Sequence, residues 1–165
     1  MPIRLDPIDW RILKELQGDG RMTNVALAER VGLSPPPCLR RVRALEEAGL
    51  ISGYTVLLDE KALGFPVQAF VLVGLHSQSE ADLRAFENRI LGLPCVREAH
   101  MLSGESDYVL QCLAPDLEAF HDFVLRELTS APNVASVKTH LAIRRAKREP
   151  GVPFGSGGRG AGKRG

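Results

Sequence analysis

With 165 residues, 44% of them apolar, and a formal net charge of +1, the chain is long enough for one ordinary domain or two small ones and too apolar for wholesale disorder. The charge is unevenly divided, at +1 over residues 1–55 (8 Lys+Arg, 7 Asp+Glu), −6 over 56–142 (6 and 12) and +6 over 143–165 (7 and 1), which excludes the middle as a nucleic-acid surface. Cys38, Cys95 and Cys112 are too scattered for a disulfide framework or a zinc site, and no apolar run makes a membrane span or a signal peptide, so a soluble cytoplasmic protein is expected.

Asp6-Pro7 reads as a helix start, an acidic cap followed by proline at the first helical position. Ile8, Ile12, Leu13 and Leu16 recur at helical spacing until Gly18 and Gly20 interrupt them. Thr23 caps a second, short helix with Leu27, Ala28 and Val31 inward, and Gly32 ends it in a tight turn. Ser34 is expected to cap a third helix, with Pro35, Pro36 and Pro37 in a first turn whose N–H groups have no intrahelical partner. Gly49 ends that helix. Residues 50–59 favour a strand, and 61–66 read as a hinge.

Beyond the hinge the pattern changes. Residues 69–75 form an apolar strand, and Ser79 opens a helix as a capping box with Asp82, with Leu83, Phe86 and Ile90 inward. Strands at 96–102 and 108–114 flank Ser103-Gly-Glu-Ser-Asp107. Asp116 starts a helix with Leu117, Phe120, Val124 and Leu128 inward, and 134–143 is a last strand. The order βαββαβ predicts a ferredoxin-like domain. Both helices of that topology lie on one sheet face, yet strands 69–75 and 108–114 are apolar at nearly every position. A second copy is the simplest cover for the other face, with a ligand or partner protein as the rival.

Three short helices with a tight turn before the third make a helix-turn-helix unit, whose third helix enters the DNA major groove. Setting Leu39, Val42 and Leu45 inward turns Pro37, Arg40, Ala44 and Glu47 outward, with Arg41 and Arg43 on the flanks. Arg40 and Arg41 fall where a recognition helix meets base edges, and Ser34 is placed for a phosphate. The expected DNA-contacting set is Ser34, Pro36, Pro37, Arg40, Arg41, Arg43 and Ala44. The plainer alternative is an arginine face that only meets solvent.

The chain resembles the Lrp/AsnC, or feast/famine, family of regulators. The resemblance is carried by Leu5-Asp-Pro-Ile-Asp9, Val31-Gly-Leu-Ser-Pro-Pro-Pro-Cys-Leu-Arg-Arg41, Leu45-Glu-Glu-Ala-Gly-Leu-Ile51, Gly53-Tyr54 and Gly104-Glu-Ser-Asp-Tyr108. It implies an α+β protein, with an N-terminal winged helix-turn-helix domain followed by a C-terminal ferredoxin-like βαββαβ domain. Residues 1–52 would be the DNA-binding domain, 53–66 a linker strand and hinge, 67–147 the effector-binding and dimerisation domain, and 148–165 a disordered basic Gly-rich tail. It further implies a homodimer, dimers assembling into octamers, and double-stranded DNA and an amino-acid effector as partners.

In the 103–107 loop, amides near Gly104 could take a carboxylate and Asp107 an ammonium group; equally, Asp107 could only bond nearby backbone amides in a turn. The resemblance puts ligands between subunits near this loop and so adds Met101, Ser103, Ser106 and Thr139. The loop departs from the family's Gly-Asp-x-Asp, with Glu105 in place of the first aspartate. No cofactor or metal is expected, because His76, His100, His121 and His140 lack ligand spacing. The enzymatic alternative is a haem-pathway decarboxylase of the same two-domain build; the arginine-bearing third helix argues against it. The cations of residues 155–165 would either add salt-sensitive attraction to DNA or be inert.

Overall fold

The computed structural model describes residues 4–154. Within them, residues 4–57 and 148–154 belong to one compact unit and 58–147 to another.

The first unit is three helices around a small core. Helix α1 (Pro7–Gly18) starts at Asp6, whose carboxylate accepts from the Ile8 and Asp9 amides at 2.8 and 2.9 Å, while Asp9 accepts from the Asp6 amide at 3.0 Å. This reciprocal box satisfies N–H groups that a helix start leaves open. Thr23 caps α2 (Asn24–Val31) through the Ala26 amide at 3.2 Å. Gly32, at φ 76°, ends α2 in the left-handed region, where a Cβ would be strained. The chain then turns into α3 (Pro35–Glu47). Ile12, Leu27, Ala28, Val31, Cys38 and Leu45 close the core.

Three expectations need correction here. Ser34 occupies the cap position of α3, but its hydroxyl makes no capping bond. The inward face of α3 runs through Cys38, Val42 and Leu45, whereas Leu39 is 39% exposed and Pro37 is half-buried. Cysteine is small enough to sit at the helix crossing, and its burial rotates Leu39 out. Residues 52–59 belong to no helix or ladder, so the expected strand over 50–59 is absent from the single chain. Their β-prone composition supplies one side of a ladder, and no described segment supplies the other.

The second unit is a four-stranded antiparallel sheet in the order β2-β3-β1-β4, built from β1 (Val67–Leu75), β2 (Val96–Met101), β3 (Tyr108–Ala114) and β4 (Val134–Leu141). Helix α4 (Glu80–Leu91) and helix α5 (Leu117–Phe123), which continues as a π turn over Val124–Leu128, pack on one face. Alternate residues of the central strands, Val71 and Val73 with Leu110 and Cys112, meet Phe86, Ile90, Phe120 and Leu128 there. Phe120 and Phe123, three apart on α5, are buried on the inner face, whereas Leu117, expected inward, is exposed in the first turn. On the opposite face, Phe70 is 40% exposed, and Leu72, Val109 and Leu113 are half-buried.

Residues 148–154 differ from the expected disordered tail. They lie on α1, where Gln17 exchanges two hydrogen bonds with the Val152 backbone and Phe154 packs against Trp10. The rest of that expectation, 155–165, falls outside the described residues.

Candidate nucleic-acid interface and effector loop

Helix α3 presents one continuous exposed groove lined by Pro36, Leu39, Arg40, Arg43, Ala44 and Glu47. Arg40 and Arg43 are exposed and make no ion pair among the described residues. Two guanidinium groups one turn apart on an open helix face can reach base edges and phosphates. Four of the expected residues therefore come together: Pro36, Arg40, Arg43 and Ala44.

Arg41 does not join them. Its Nη1 donates to Asp6 and to Asp9, each at 2.7 Å. These bonds raise the Arg41 pKa above its ordinary value, Asp9 contributing first and Asp6 second. In return, the Asp6 carboxyl is held below its usual range, first by the Asp9 amide and further by Arg41, with partial desolvation opposing. Arg41 thus fastens the start of α1 to α3 through Nη1, and in the single chain it stands apart from the exposed pair Arg40 and Arg43. The same acids that cap α1 also orient α3.

The turn before α3 is held from α2. The Asn24 side chain donates to the Pro35 carbonyl at 2.8 Å, a link that composition did not reveal. The Ser34 hydroxyl makes no cap bond and is exposed at the start of α3. From the other end of α3, Glu46 accepts from the Tyr54 hydroxyl at 2.9 Å. Partial burial and the Glu46 carboxylate push the Tyr54 pKa up to about 12. Tyr54 thereby ties the extended segment after α3 back to that helix.

Of the two expectations for the 103–107 loop, the single chain shows the Asp107 carboxylate occupied by protein hydrogen bonds. Asp107 is buried, and its two carboxylate oxygens accept from the Leu75 amide and the Gln78 side chain, both at 2.6 Å. Its backbone also donates to the Val73 carbonyl at 2.9 Å, and its carbonyl accepts from the Leu102 amide at 2.8 Å. Asp107 pins the β2–β3 loop onto the end of β1. Ser103 and Gly104 are exposed at the loop tip, and Ser106 is half-buried.

Met101 pairs with Tyr108 on edge strand β2, and Thr139 pairs with Val71 on the opposite edge strand, β4. Three strand spacings separate those edges, about 14 Å. One chain therefore does not gather Met101, Thr139 and the loop into one pocket. Met101 instead borders a cavity of about 380 Å³ that also touches Ile90, Leu91, Arg97, Glu98 and Tyr108. Among the described residues no cluster of His, Cys, Asp or Glu could hold a metal ion, and no helix is long and apolar enough to cross a membrane.

Comparison with known proteins matches residues 5–52 to a winged helix-turn-helix DNA-binding model and residues 68–152 to the Lrp/AsnC ligand binding domain. The chain is 59% identical to a leucine-responsive regulatory protein of Rhizobium meliloti, over 88% of this chain and 93% of that one. It is 37% identical to the transcriptional regulator AzlB of Bacillus subtilis, over 93% and 98%. A Neisseria meningitidis transcriptional regulator crystallised with L-Met superposes with a TM-score of 0.87 at 37% identity, covering 91% of this chain and 97% of that one. All three are named as regulators, and none as a haem-pathway enzyme.

Proposed function

This chain belongs to the Lrp/AsnC family of DNA-binding transcriptional regulators, and on that premise we propose that it reads DNA through Arg40 and Arg43 and responds to an amino acid. The observation that carries the reading is the open α3 groove, where both guanidinium groups face outward while Arg41 is spent on Asp6 and Asp9. Pro36 and Ala44 shape that surface, half-buried Pro37 supports it from the first turn of α3, and Ser34 supplies a phosphate contact at its end.

A two-fold homodimer is the proposed working unit in the cytoplasm, and dimers associate further into an octamer. The apolar face of β1 and β3 away from the helices supports this, since water meets Phe70 there in the single chain. Two α3 helices so related would read half-sites one helical turn apart.

For the effector, the loop tip at Ser103, Gly104 and Ser106 offers amides and hydroxyls to a carboxylate. The Met101 cavity, with apolar walls and both Arg97 and Glu98 at its border, suits the rest of an amino acid. The L-Met complex of the Neisseria relative supports this class of ligand. Asp107 contributes by fixing the loop, and Thr139 joins only if a second copy brings its β4 edge near.

The test pairs two measurements. Fluorescence anisotropy with the protein's own promoter duplex should show sequence-selective binding. A thermal-shift screen of the twenty amino acids should raise the melting temperature in a dose-dependent way for the true effector. Equal affinity for promoter and scrambled duplex would refute the DNA reading, and flat melting curves with all twenty would refute the amino-acid reading.

A further inference from the structure

Leu39 is a residue of α3 whose placement the core does not explain. The helical repeat predicts it inward, but Cys38 takes the helix crossing, and one residue further along is about 100° round the axis. Leu39 is therefore left 39% exposed. Nor can α3 roll to hide it. On one flank Arg41 is bonded to Asp6 and Asp9 at 2.7 Å, and at the helix start the Asn24 side chain holds the Pro35 carbonyl at 2.8 Å.

A single exposed leucine is ordinary on a protein surface. This one lines the α3 groove, with Pro36 one turn before it, Arg43 one turn after it and Arg40 beside it. The Leu39 and Pro36 side chains offer no hydrogen-bond donor or acceptor. Facing the amino or carbonyl edge of a base, they would leave its polar atoms unpaired. In the major groove only thymine presents an apolar group, its 5-methyl, so it is the base edge that this patch accepts at no such cost. The two flanking cations, which make no ion pair among the described residues, mark the occupant as a polyanion rather than an apolar protein surface. We propose that Leu39, backed by Pro36, reads the 5-methyl group of a thymine next to the guanine that Arg40 contacts. The inference rests on the regulator reading above and deepens it by naming the neighbouring base of the recognised step.

The experiment is uracil interference. The promoter duplex is prepared with deoxyuridine replacing a few thymidines at random, which removes the methyl group and keeps the base pairing. After binding to the full chain, bound and free DNA are separated, cleaved at uracil and compared position by position. One buried methyl group corresponds to about fourfold in affinity. Uracil beside a guanine should therefore weaken binding about fourfold in each half-site. Leu39→Ala should weaken binding to the all-thymine duplex by at least a similar factor and abolish the discrimination at that position. Uracil tolerated at every position by the full chain overturns the proposal, and this arm needs no variant to fold. Interference that survives in Leu39→Ala also overturns it, and is the outcome expected if the methyl group acts through DNA shape. Failure of the full chain to prefer its promoter to a scrambled duplex would instead refute the regulator reading, which separates the two failures.

Discussion

Replacing Arg40 by alanine removes an exposed guanidinium from the α3 groove without touching the core, since Arg40 makes no ion pair among the described residues. A bidentate arginine–guanine contact discriminates by about 1–3 kcal/mol, which is about 5- to 150-fold in affinity. Arg40→Ala should therefore weaken promoter binding by that factor, leave the scrambled duplex less affected, and leave the melting temperature unchanged. Arg43→Ala, if it removes a phosphate contact, should weaken both duplexes alike and lower the salt slope by about 0.9. Arg41→Ala should behave in the opposite way. It severs the 2.7 Å bonds to Asp6 and Asp9 that join α1 to α3, so the melting temperature falls first. Any loss of DNA binding should then disappear when the assay is cooled well below the new midpoint. Anisotropy on both duplexes, with circular dichroism melts of each variant, checks the set. If Arg40→Ala bound its promoter as the parent does while Arg41→Ala lost sequence preference without losing stability, the assignment of roles on α3 would be wrong.

Gly32→Ala should cost about 1 kcal/mol, because φ is 76° and nothing lies within 4 Å of the added Cβ, so the penalty is backbone strain alone; urea unfolding of the helical unit reads it. Asp107→Ala should destabilise the sheet unit by about 1–3 kcal/mol through the unpaired Leu75 amide and Gln78 side chain, with Asp107→Asn milder, and a denaturant series compares them. The Asp6 carboxyl is held low by the Asp9 amide and by Arg41, and that of Asp82 by the Ser77 and Ser79 hydroxyls. A depressed folded-state pKa gives stabilisation that is complete above the unfolded value of about 4 and lost as the pH falls through the folded value, so stability should decline below about pH 4. Unfolding midpoints that rise on going from pH 4 to pH 3 would contradict this. Cys95 should be the first thiol alkylated in the native protein, because its contact with Cys112 lowers its pKa and it is half-exposed, whereas burial raises the Cys38 thiol and Cys112 is buried. Peptide mapping after brief iodoacetamide treatment reports the order.

Much of the architecture was legible in the residues. Asp6 and Thr23 mark helix starts by accepting from amides within three residues, and Gly32 marks a helix end by donating its own amide to the Ala28 and Glu29 carbonyls. The βαββαβ order follows from changes of hydrophobic period, which the chain carries in short windows. The exposed positions of Arg40, Arg43 and Ala44 follow from helical geometry once the helix is placed.

What the sequence could not decide were contacts between segments far apart in it. Arg41 looks like Arg40 in sequence, and only the packing of α1 beside α3 commits it to two carboxylates 35 and 32 positions away. Asp107 looks like a ligand-binding acid until β1 delivers the Leu75 amide to it. That Met101 and Thr139 lie on opposite edge strands is set by the strand order, which composition does not carry. Residues 52–59 have strand composition, but a ladder needs a second strand, which composition does not provide. The Pro150-to-Phe154 segment read as tail, because its partner Gln17 stands 135 positions away from Val152. Local bonding rules therefore determined the elements, and long-range hydrogen bonds and ion pairs determined which charged side chains are free to act.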